Sequence, residues 1–104
     1  MAGNDNAVLR PLQWLRATAS GLVYAHACLL WVLHVSTNGN INNVSAVYDG
    51  FGTDGRLLLC PGPNTKMSET ICLPRPIQIQ QGLYVTFGSN VVEVCFGIEP
   101  QQGT

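Results

Sequence analysis

Charge is scarce in this sequence: 11% of its 104 residues are Asp, Glu, Lys or Arg, under half the roughly 25% of an ordinary soluble domain. The cations Arg10, Arg16, Arg56, Lys66 and Arg75 stand singly, and the net charge is −1. That leaves no stripe to follow a phosphate backbone, so no nucleic-acid partner is expected. The cysteines, Cys28, Cys60, Cys72 and Cys95, form no CxxC pair and match no zinc-ligand spacing. The apolar run Leu22 to Val35 is 14 residues long and contains His26 and His34, short of the roughly 20 that cross a bilayer. The polar residues before it, Asp5 among them, are unlike a basic leader. No membrane association is expected.

Catalytic patterns are missing too. The stretch YDGFGTDG at 48–55 is rich in glycine but lacks the GK[ST] ending and following helix of a phosphate loop. Two acids and one Thr there are too few oxygens for calcium. His26 and His34, placed on one strand, would lie about 26 Å apart at about 3.3 Å per residue, too far to share a metal or a proton. No Ser, His and acid fall in a pattern that suggests a triad. The expectation is therefore no enzyme, no catalytic residue, no cofactor and no metal.

What is present is apolar material, 46% of the chain. A chain of this length suits one domain and buries about two thirds of its unfolded surface. With so little charge, its outside is either neutral and polar or covered by partner subunits. The cysteines are either reduced and buried as small hydrophobes or, in an exported chain, joined in one of three ways.

Turn signals divide the chain. Asn38-Gly39-Asn40, Asp49-Gly50, Asp54-Gly55 and Pro61-Gly62-Pro63-Asn64 interrupt it repeatedly. Between them lie short pieces at 43–48, 56–60, 68–73, 77–79, 82–87 and 91–98. Pro74 and Pro76 mark an edge or a crossover between sheets, and Gly88-Ser89-Asn90 separates the last two strands as a hairpin. Short strands with turns every eight to twelve residues indicate a β-sandwich or barrel.

The run from Leu22 reads as one long strand, Val and aromatic residues favouring strand over helix. Its core face would carry Val23, Ala25, Ala27, Leu29, Trp31, Leu33 and Val35. In the last strand Val92, Val94, Phe96 and Ile98 would face the core. Ahead of the sandwich, residues 1–19 read as an arm in which Pro11 interrupts any helix. Its Leu9, Leu12, Trp14 and Leu15 are candidates for contact with a neighbour, Trp14 being the best single anchor. The arm could equally fold back on its own domain.

Several stretches follow one another in a telling order: Ser20-Gly21-Leu22-Val23-Tyr24, then Val35 before a polar Asn/Gly turn, then Val44-Ser45-Ala46-Val47-Tyr48-Asp49-Gly50. Gly55-Arg56-Leu57-Leu58 and Gly82-Leu83-Tyr84-Val85 complete the series. Over residues 20–98 this order resembles a group of small bacteriophage virion proteins, compact β-sandwiches used as head decoration (cement) proteins or as neck and tail parts. The four cysteines and the Pro-rich segment Leu73 to Pro76 depart from the group's pattern.

The resemblance implies an all-β sandwich, jelly-roll-like or Greek-key, of about six to eight short antiparallel strands over residues 20–104. It further implies a homotrimer, contact with the major capsid protein, and a place in a virion assembled in the host cytoplasm. The competing reading is an exported carbohydrate-binding module. In that case the aromatics Tyr48, Phe51 and Tyr84 would make the contact.

Overall fold

A computed structural model describes residues 12–38, 45–61 and 68–101. Its strands are β1 (Gln13–Ala17), β2 (Gly21–Tyr24), β3 (Cys28–Thr37), β4 (Ala46–Asp49), β5 (Arg56–Leu59), β6 (Ser68–Ile79), β7 (Leu83–Thr86) and β8 (Val91–Pro100). They form two four-stranded sheets in the orders β1-β8-β3-β6 and β2-β7-β4-β5, every pairing antiparallel. The described residues include no helix.

The pairing is nested. Gln13 faces Ile98, Gly21 faces Val85, Cys28 faces Ile79, Ser36 faces Ser68 and Val47 faces Leu59. The chain is thus one long hairpin, closed at the β4–β5 turn and rolled up so that β3 also pairs β8 and β4 also pairs β7. This is the eight-stranded jelly roll.

One core fills the space between the sheets. Cys28, Leu30, Leu33, Val35, Ile79, Val94, Phe96 and Ile98 enter it from the first sheet, and Val47, Leu83 and Val85 from the second, all fully buried. Each of these side chains is worth roughly 1.5–3 kcal/mol in burial, which explains how so small a chain holds two sheets together without a disulfide. All four cysteines are free thiols, but only Cys28 is buried; Cys60 and Cys72 are exposed.

The structure corrects several readings of the sequence. The run from Leu22 is two strands in different sheets, because the chain turns a corner at residues 25–27. His26 therefore lies off the strand that carries His34. Within β3 the register shifts between Leu30 and Val32, and the extra residue, Trp31, reverses the alternation. Cys28 and Leu30 face the core before it, Leu33 and Val35 after it, so Leu29 and Trp31 do not take the inward positions expected of them.

Val92 is likewise exposed, because a second shift at Ser36/Thr37 skips it. Gly88-Ser89-Asn90 does not close a hairpin: it carries the chain from β7 in one sheet to β8 in the other. Finally, the pieces at 68–73 and 77–79 are one strand; it lies at an edge, one of the two placements expected from Pro74 and Pro76, with Leu73 to Pro76 accommodated where its register with β3 breaks. An edge position has no ladder on its outer side for a proline to interrupt.

The expected boundary at residues 19 and 20 falls between β1 and β2, inside the sandwich. Gln13–Ala17 is paired along its whole length with β8 of the same chain. Leu9 lies outside the described residues.

Candidate protein-docking surface

The β4–β5 hairpin positions the outer face of the second sheet, and glycine makes its neck possible. A Cβ on Gly55 would stand 2.6 Å from the Asp49 carbonyl oxygen and 2.9 Å from Gly50 Cα. Only two facing glycines allow the backbones so close. Just before this neck, Asp49 is buried and holds the connection from β6 to β7. Its Oδ2 accepts the Gln80 N–H at 3.0 Å and its Oδ1 the Gln81 N–H at 2.9 Å. Gly50 adds a backbone bond to the Gly82 carbonyl at 2.9 Å, and the Arg56 guanidinium lies 4.0 Å from Asp49. The only carboxylate and the only cationic side chain in the strands of this sheet, Asp49 and Arg56, are therefore turned toward each other.

That leaves the outward positions without charge. Strand alternation sends Val47 and Val85 inward and their neighbours Tyr48 and Tyr84 outward. Leu22 stands opposite Tyr84, Tyr84 opposite Tyr48, and Tyr48 opposite Leu57. The four side chains thus make one continuous row across the full width of the sheet. Leu22 and Leu57 are 45% and 53% exposed. The two tyrosine rings meet edge to face, 6.4 Å between centroids at 63°, a geometry aromatic pairs favour. Beside them Ala46 and Thr86 form a second, uncharged pair. Phe51, 59% exposed, sits at the hairpin tip against Gly82.

The outer face of the first sheet is mixed. Trp14, 60% exposed, stands opposite Gly97, which stands opposite Val32, which stands opposite Cys72. The indole lies over Gly97, together with Leu12 and Val32: an aromatic ring covers a strand glycine, a recognised device for stabilising sheets. The next row is Arg16, Cys95, His34 and Thr70. Here polar groups have partners. Arg16 pairs with Glu93, His34 Nδ1 and Thr70 Oγ1 are hydrogen-bonded at 2.6 Å, and Trp31 Nε1–H donates to Glu99 at 3.2 Å.

The hydrogen bond from Arg16 holds the Glu93 carboxyl below its ordinary range. Burial, with the Glu93 charge behind it, pushes the Cys95 thiol up. Although Cys95 lies beside His34, its surroundings favour the protonated thiol, the reverse of what an activated nucleophile needs. Among the described residues no group of three or more His, Cys, Asp or Glu converges as metal ligands would.

The residues singled out in the sequence are thus divided. Tyr48 and Tyr84 come together on strands, with Phe51 at the adjoining tip. Trp14 lies on the opposite face of the molecule, and Leu15 packs against the core. Leu22 and Leu57, which complete the tyrosine row, were not anticipated. Their outward positions depend on pairings between distant strands that no local pattern encodes.

Fold and surface define an all-β jelly-roll domain in which the outward strand positions of one sheet, among the described residues, are aromatic, aliphatic and uncharged. No family model, curated protein or solved structure matches the chain.

Proposed function

We propose that this chain is a capsid decoration protein of a bacteriophage, binding the major capsid protein through the outer face of its β2-β7-β4-β5 sheet. The observation that carries the reading is the continuous row Leu22–Tyr84–Tyr48–Leu57, crossing outward strand positions that carry no charge among the described residues. Interface centres are depleted in Lys, Glu and Asp and enriched in aromatic side chains. Tyrosine supplies large contact area at low conformational cost. The jelly roll, a fold used by viral capsid proteins, and the order of motifs over residues 20–98 support the same assignment. A cement role needs no chemistry beyond contact: the domain covers joints between capsid subunits and adds its binding energy to theirs.

The test is the copy number of this chain in purified virus particles, by quantitative mass spectrometry against the major capsid protein. Hundreds of copies in a simple ratio to the capsid subunit are expected. About a dozen would move the chain to the neck or tail, and complete absence would remove the virion reading. In a binding assay with undecorated capsids, Tyr84→Glu should abolish attachment while leaving the circular dichroism spectrum unchanged. Full attachment by this variant would assign the contact to another surface.

A further inference from the structure

We draw no further inference here: the strongest candidate, the apolar strip that runs through Tyr84 and Tyr48 to Leu57 at the β5 sheet edge, belongs to the surface already described, and nothing in the structure shows what covers that edge.

Discussion

Replacing Asp49 tests whether a single carboxylate holds two parts of the roll together. Its oxygens accept the backbone N–H groups of Gln80 and Gln81 at 3.0 and 2.9 Å, fastening the β6–β7 connection to the end of β4. A hydrogen bond to a charged acceptor is worth roughly 1.5–3 kcal/mol. Gln80 and Gln81 are exposed, so amides released by Asp49→Ala can turn to water, which puts each bond at the low end. The sum is a loss of about 3 kcal/mol. Against a total stability of roughly 5–15 kcal/mol that is a large share, equivalent to a fall in melting temperature of roughly 12–20 °C for a domain of this size.

Asp49→Asn separates geometry from charge. It keeps one carbonyl oxygen but turns an NH2 group toward the second amide, so about half the loss is expected. Urea unfolding followed by circular dichroism would measure both variants, and unchanged denaturant slopes would confirm that the folded and unfolded states are otherwise comparable. An Asp49→Ala protein that melts within a degree or two of the parent would refute the reasoning. So would an Asn variant as stable as the parent, because the bonds would then owe nothing to the second oxygen.

Three further outcomes follow from the packing. Gly97→Ala would bring a methyl group 2.5 Å from Val32 Cγ1 and 3.2 Å from Trp14; a loss of about 1–3 kcal/mol and a shift in tryptophan emission are expected, and an unperturbed spectrum would contradict the stacking. Burial, reinforced by the Asp49 charge, pushes the Cys28 thiol from its ordinary 9.0 up to about 11. Its contribution to stability is therefore intact below pH 9 and lost as pH rises toward 11; denaturant melts across that window should decline less for Cys28→Ala, measured relative to its own neutral-pH value, than for the parent. Deleting residues 1–19 removes β1, uncovers the edge of β8 and takes Leu15 and Ala17 from the interior; a loss of roughly 2–5 kcal/mol is expected on thermal melting, and an unchanged melt would mean that β1 is dispensable to the sandwich.

The fold class was legible because its evidence is local. Asp-Gly at 49–50 and 54–55 marks the one hairpin among the described residues, and the frequent turn signals speak for strands over helices. The failures have a common physical cause: bulges and corners leave no trace in composition. Nothing at Ala25-His26-Ala27 distinguishes a corner from a continuing strand, and the shift at Trp31 shows only in the pairing of β3 with β6 and β8. Pro74 and Pro76 pointed to an edge or a crossover, and β6 is an edge strand, whose outer side has no ladder to lose; what they hid is that 68–73 and 77–79 are one strand.

The candidate surface was half legible for the same reason. Aromatics at 48, 51 and 84 could be named from the sequence. That 48 and 84 touch, and that Leu22 and Leu57 flank them, depends on register between segments far apart in the chain.

The nested pairing also constrains how the protein reaches this state. The β4–β5 rung closes across a short turn, whereas β1 must find β8 from almost the far end of the chain. The entropy cost of closing a loop grows with its length, but each rung formed brings the next pair of segments closer together. Assembly is therefore favoured from the Gly50–Gly55 neck outward, like a zip drawn toward the termini, with β1 docking last. The pairing of Gln13 with Ile98 also brings the first and last strands of the roll together at one corner of one sheet, so the last rung to close is the one that joins the start of β1 to the end of β8.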